Sequence, residues 1–290
     1  MAAVTRLFFS AFSRARFSTP TVLALTVLSL LPQAIGHPAQ ATEILPHKAI
    51  YTLHNSEAVG GDEQLSADGM LIFEWLDTCD GWQVNQRAKL RLSGERGETD
   101  FEWRQITWEA KDGHSYRYQS QEFQDGQKGD QRQGEVSLDG KGVPQLTMAS
   151  PQHNQAALPA DILLPTAHSL RLLKAGADGD NYISATVFDG TVSDSPMQIG
   201  AAIGPAMPQW QDQAKDFPAL AHVPSRPVDL AFFMKEGDPE GKPDFEQSMR
   251  LYDNGVIGRM SFPFAGVDMV GELVKLDVMP AKCKAGAANP

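Results

Sequence analysis

From Trp82 to Leu92 apolar and polar side chains alternate. Trp82, Val84, Ala88, Leu90 and Leu92 share one face with Gln86, while Gln83, Asn85, Arg87, Lys89 and Arg91 share the other. A period of two is the repeat of a β-strand, and one apolar face against one polar face marks a sheet solvated on one side. The same pattern predicts strands at Ala49–Leu53, Gly69–Leu76, Asp100–Ala110, Ser115–Gln124 and Gly129–Leu138. Gly and Asp punctuate the gaps, as in Ser93–Gly97, Lys111–Gly113 and Asp125–Gln127, because these residues accept the backbone angles of tight turns. Short turns between regular strands predict an antiparallel meander.

The pattern then breaks. Pro144, Pro151, Pro159 and Pro165 mark a polar connection, followed by a short helix over Thr166–Gly176. Pro165 suits its first turn, Ala167, Leu170 and Leu173 keep the three-to-four spacing, and Gly176 supplies a stop. Strands resume at Tyr182–Phe188, Val228–Lys235, Phe245–Tyr252, Val256–Phe264 and Val267–Met279. Asn254-Gly255 predicts a tight hairpin, since both residues tolerate positive φ. Residues 193–225 hold five prolines and little periodicity, which predicts a long loop suited to a lid. The fold class is therefore all-β or β-rich α+β: one long, curved, barrel-like antiparallel sheet with a single central helix.

The N-terminus changes the setting. Arg6, Arg14 and Arg16 precede an uncharged apolar run, Val22–Leu31, then Pro32 and the small-x-small triplet Ala39-Gln40-Ala41. This is the order of a secretory signal peptide, cut after Ala41. The apolar run is about half the ~20 residues that span a bilayer. With no Cys before Cys79, the cut cannot be a lipid-attachment site. The expectation is a periplasmic soluble chain with a cleaved segment 1–41 and a single β-rich domain over 42–290. Of the 25 basic residues in the full chain, three leave with that segment, so 22 face 36 acidic ones, a net charge of −14. So acidic a surface excludes nucleic acid as a partner and is repelled by anionic lipid head groups.

Only two cysteines occur, Cys79 after one predicted strand and Cys283 after the last. In an exported chain a lone pair predicts one structural disulfide. No Cys-x-x-Cys or basic cluster points to a reactive thiolate. Closing a loop of about 200 residues, the bond would contribute at most about 5 kcal/mol.

Catalytic patterns are sparse. His47, His54, His114, His153, His168 and His222 are scattered, without H-x-H or H-E-x-x-H, so no metal-binding set emerges. G-x-S-x-G, G-x-G-x-x-G and P-loop patterns do not occur, so no catalytic or cofactor-binding residue and no cofactor is assigned. His168 reads as a core or capping residue, and Asp178-Gly-Asp-Asn181 as a plain turn. Trp75, Trp82, Trp103 and Trp108 concentrate in the first sheet. They read first as core, and alternatively as a groove for a peptide or acyl chain. Asp77, Asp80, Arg87 and Arg91 read as a solvated rim near Cys79, with Arg87 placed to neutralise an Asp.

Taken together, six segments give a resemblance: His47–Leu53, Thr78–Arg87, Trp108–Gly113, Leu164–His168, Val187–Gly190 and Asp253–Val256, with Cys283 near the end. In this order they resemble the EipB-like family of cell-envelope-integrity proteins from Gram-negative alphaproteobacterial periplasms. The resemblance implies a β-spiral around a central helix, a disulfide between Cys79 and Cys283, and a role in keeping the envelope intact. It implies no reaction. The expected function is a non-enzymatic periplasmic factor that binds a protein, peptide or envelope component. A lipid or lipoprotein carrier and a hydrolase without a recognisable motif are the alternatives.

Overall fold

The computed structural model describes residues 43–56, 65–95, 97–191, 193–207, 216–234 and 241–280. The predicted signal segment and Cys283 lie outside them. Eight strands precede the helix: β1 (His47–Asn55), β2 (Ser66–Asp77), β3 (Gly81–Gly94), β4 (Gly97–Ala110), β5 (Ser115–Gln124), β6 (Gln127–Leu138), β7 (Pro144–Ser150) and β8 (Asn154–Ala157). After α1 (Pro165–Asp178) come β9 (Tyr182–Val187), β10 (Met197–Ile203), β11 (Ser225–Phe233), β12 (Phe245–Tyr252), β13 (Ile257–Phe264) and β14 (Val267–Val278).

All fourteen strands form one antiparallel sheet, ordered β8-β7-β6-β5-β4-β3-β2-β1-β14-β13-β12-β11-β10-β9. Two meanders thus meet at the β1–β14 pair, which joins the start of the sheet to its end. The middle of the chain supplies both free edges, β8 and β9, and α1 connects them. The alternation read in the sequence is the alternation of burial: His47, Ala49, Tyr51 and Leu53 of β1 point inward and are all buried. Asp125 and Gly126 both take positive φ, 50° and 76°, in the two-residue turn between β5 and β6. That turn geometry matches the twist of the flanking strands.

Several predicted elements shift. β7 and β8 occupy the stretch expected to be a connection, because Pro144 stands at a strand's first position, where no ladder donor is needed. β10 crosses the expected lid: Met197, Ile199, Ala201 and Ile203 are buried at alternate positions. Its small residues Gly200 and Ala202 and the flanking prolines weakened the period. The helix runs past Gly176 to Asp178 and stops at Gly179, which takes φ 86°. Gly176 is instead a contact point, since a Cβ there would lie 2.9 Å from the Arg226 side chain. At Asn254-Gly255 only Gly255 takes positive φ, and the loop is longer than a two-residue hairpin, with β13 starting at Ile257.

The core wraps the helix. Leu172 and Ala175 pack against the inward residues of β9–β11, and Leu173 packs with Ile44, Trp75 and Val84. A larger cluster without the helix fills the other end, around Tyr51, Leu53, Met260 and Met269. The two edges do not pair. A cleft of about 460 Å³ has Leu146 and Ala156, from the inward face of β7–β8, on one side. Thr186, Gln198 and Phe233, which alternate with the core residues of β9–β11, line the other. One end of the sheet therefore overlaps the outside of the other, and the roll is open rather than closed.

Candidate functional site

The start of α1 lacks a capping side chain. Leu164 occupies the cap position and contributes no side-chain hydrogen bond, although the first-turn N–H groups need acceptors. The acceptor comes from β4. Glu109, 4% exposed, takes the Thr166 N–H at 2.7 Å on one oxygen and the Ala167 N–H at 2.9 Å on the other. A carboxylate at a helix N-terminus also meets the positive end of the helix dipole. Burial outweighs these bonds and pushes the Glu109 carboxyl up to about 7, with Asp189 nearby adding to the rise.

Asp189 lies just past β9. Its carboxylate accepts the Thr191 hydroxyl at 2.7 Å and the Thr191 N–H at 3.0 Å, with the Tyr116 hydroxyl at 3.5 Å. Desolvation raises its pKa. Tyr116 stacks on Tyr118 with ring centroids 5.7 Å apart. A Cβ on Gly190 would come within 2.2 Å of the Tyr118 ring, and one on Gly134 within 2.5 Å of its hydroxyl, so glycine is required at both places. Among the described residues the Tyr118 hydroxyl and His168 Nε2 are buried without a partner. Burial lowers the His168 pKa to about 4, which keeps the imidazole neutral.

The Cys79 turn is braced in a similar way. Cys79 takes φ 78°, unusual for a residue with a Cβ, and its N–H donates to Asp77 Oδ1 at 2.9 Å. Trp108 Nε1 donates to Thr78 Oγ1 at 3.0 Å, and a Cβ on Gly81 would fall 2.5 Å from the Trp108 ring. Lys111 pairs with Asp77 at 2.7 Å and lies 4.7 Å from the centre of the Trp82 ring. Asp77 is thus neutralised by Lys111. Arg87 instead meets Glu102 at 2.8 Å, and Arg91 meets Asp100 at 2.8 Å, both on the outward face.

The four tryptophans do not line one groove. Trp75 and Trp82 pack toward the helix with Leu173. Trp103 and Trp108 are five residues apart on one strand and so point to opposite faces. Trp108 lies outward, with the Arg117 guanidinium 4.5 Å above its ring. The carboxylates, by contrast, went unread in the sequence. Glu109 occupies an inward position of a strand, beyond the buried Gln105 and Thr107. An acidic residue on the core face, together with a helix lacking a capping side chain, was the available signal.

In chemical terms this cluster anchors. Both oxygens of Glu109 are committed to backbone donors, and Asp189 is committed to Thr191. Among the described residues no three His, Cys, Asp or Glu side chains converge as a metal site would require. Nor is any helix among them long and apolar enough to cross a membrane.

Comparison with known proteins agrees with the geometry. The chain is 26% identical over 246 residues to the cell envelope integrity protein EipB of Brucella abortus (strain 2308), covering 83% of this chain and 86% of that one. Its fold matches the crystal structure of a beta-barrel-like protein of the domain of unknown function DUF1849, also from Brucella abortus. There the TM-score is 0.75 at 24% identity, over 82% of this chain and 99% of that one. The family model described as EipB-like matches residues 38–280, which include the helix, the Glu109 cap and the Cys79 turn, and the chain belongs to that family.

Proposed function

We propose that this protein is a non-enzymatic factor of the periplasm that maintains envelope integrity by binding a protein, peptide or envelope component. The observation that carries this reading is where the family-bearing segments fall. Trp108–Gly113, Leu164–His168 and Val187–Gly190 meet at the start of α1, and Thr78–Arg87 adjoins them through Trp108. They are spent on capping, bracing and close backbone approach. The name of the Brucella relative supports the envelope role. The basic, apolar, small-residue order of residues 1–41 supports export.

In the same reading Cys79 and Cys283 are joined, and the bond ties the chain end to the braced turn before β3. No cysteine among the described residues is free, which supports this pairing. Thiol titration of the undenatured periplasmic protein should find no free thiol, and two would reject the bond. The envelope role is tested by deleting the gene in its own host. Sensitivity to a membrane-perturbing detergent should rise, and the full chain should restore resistance where a version lacking residues 2–41 does not. Unchanged sensitivity on deletion would overturn the reading.

A further inference from the structure

The two edges of the sheet are treated differently. At β9 the outward groups are partly covered by the chain itself: Leu163 N–H donates to Thr186 O at 2.9 Å, and Phe188 N–H donates to Leu163 O at 3.0 Å. At β8 nothing comparable occurs. Leu158 N–H donates to Pro144 O at 2.8 Å, so even-numbered residues there turn their backbone groups toward β7. By alternation Gln155 and Ala157 turn theirs outward. Among the described residues these outward groups have no hydrogen-bond partner.

Exposed edges are usually blunted by charge, proline or a bulge. The β8 sequence, Asn154-Gln155-Ala156-Ala157, has no charge and no proline, and its pairing with β7 is regular. Only its shortness limits it. Two outward residues suit a short guest strand and not an extended aggregate. Beneath the edge lies the overlap cleft of about 460 Å³, between Asn154 and Ala156 on one side and Gln198, Phe233 and Met234 on the other. The only carboxylate lining it among the described residues, Asp194, is paired with Arg132. A guest strand on β8 therefore finds backbone partners along its edge and an uncharged slot for alternate side chains. Backbone bonds for affinity with pockets for selectivity is the logic of strand addition.

We propose that the β8 edge captures an extended, uncharged segment of a partner protein, which adds to the sheet beside Gln155 and Ala157 and lays side chains in the cleft against Phe233. This deepens the binding role proposed above and rests on it. A second copy of the chain is the less suited occupant, because two molecules that each carry a net charge of −14 once residues 1–41 are lost repel.

The test pans a random linear heptapeptide phage library against the protein, with Gln155→Pro as comparator. The Gln155 N–H lies outside the β7 ladder, so the substitution removes one outward donor and leaves the ladder whole. Enriched sequences should lack charged residues. As synthetic peptides they should bind Gln155→Pro at least tenfold more weakly and slow hydrogen exchange at the Gln155 and Ala157 amides. No enrichment, or equal binding to both proteins, would overturn the proposal. A concentration-dependent dimer abolished by Gln155→Pro would overturn it too, by assigning the edge to a second copy. Should Gln155→Pro lose its circular-dichroism signature, Phe233→Asp replaces it as comparator under the same criteria. The two readings fail separately. Peptide capture with no envelope defect on gene deletion removes the envelope role and keeps the site. An envelope defect that Gln155→Pro fully repairs keeps the role and removes the edge from it.

Discussion

Glu109 and Glu102 sit on the same strand, seven residues apart, and point to opposite faces. Glu109 faces the core, where burial pushes its carboxyl up to about 7. Glu102 faces solvent between two arginines, and the Arg104 and Arg87 guanidinium groups hold its carboxyl down at about 2. One strand thus carries an anchor and a solvated ion cluster. The parity of the position, more than the residue type, decides which role a carboxylate takes.

Removing the anchor should have the largest effect. Glu109→Ala leaves one buried and one half-buried first-turn donor without acceptors and opens a void, and should cost about 3 kcal/mol in urea unfolding. A loss below about 1 kcal/mol would mean that water or another group satisfies those donors. Glu109→Gln should cost less, about 1–2 kcal/mol, because its carbonyl still accepts one N–H while its amide opposes the other.

The pH dependence sharpens the contrast. Glu109 has a folded pKa raised above its unfolded value, so its share of stability is full at acid pH and is lost as pH rises through about 7. His168 has a folded pKa lowered to about 4, so its share is full above the unfolded value and is lost as pH falls toward 4. Between about pH 4.5 and 6.5 the two slopes oppose each other, and stability governed by them should be nearly flat. Glu109→Gln removes one slope, so the variant should gain roughly 1.4 kcal/mol per pH unit across that window. Equal pH profiles for wild type and variant would show that the carboxyl does not hold a raised pKa.

The smallest effect should come from the outward face. Glu102→Gln should change stability by no more than about 0.5 kcal/mol, and added salt should erase even that. A larger cost would show that the Arg87–Glu102–Arg104 cluster is structural.

Parity also explains what the sequence disclosed. Strands β1–β6, β9 and β11–β14 were legible because apolar residues alternate with polar ones. From Arg87 to Leu92 the sequence pattern is the burial alternation of β3. β10 was not legible, because Gly200 and Ala202 carry almost no polarity signal and its neighbours are prolines. β7 and β8 were hidden because Pro144 and Pro151, which flank β7, read as breaks although they stand at a strand start and in the turn that follows. For the site, the segments around Glu109, His168 and Asp189 were visible as pieces, but their meeting depends on α1 entering the roll, which no local pattern encodes. Trp103 and Trp108 lie on opposite faces for a countable reason: an odd spacing on a strand separates them.

The central proposal is that the cluster at the start of α1 serves to hold the fold and takes no part in a reaction. Its direct test is detergent resistance of the deletion host carrying Glu109→Gln, measured beside the folded fraction of that variant from the same cells. Resistance should fall only in proportion to the folded protein lost, and should return at a temperature where the variant is fully folded. A fully folded Glu109→Gln protein that leaves the host as sensitive as the deletion would contradict the claim and make Glu109 a functional group.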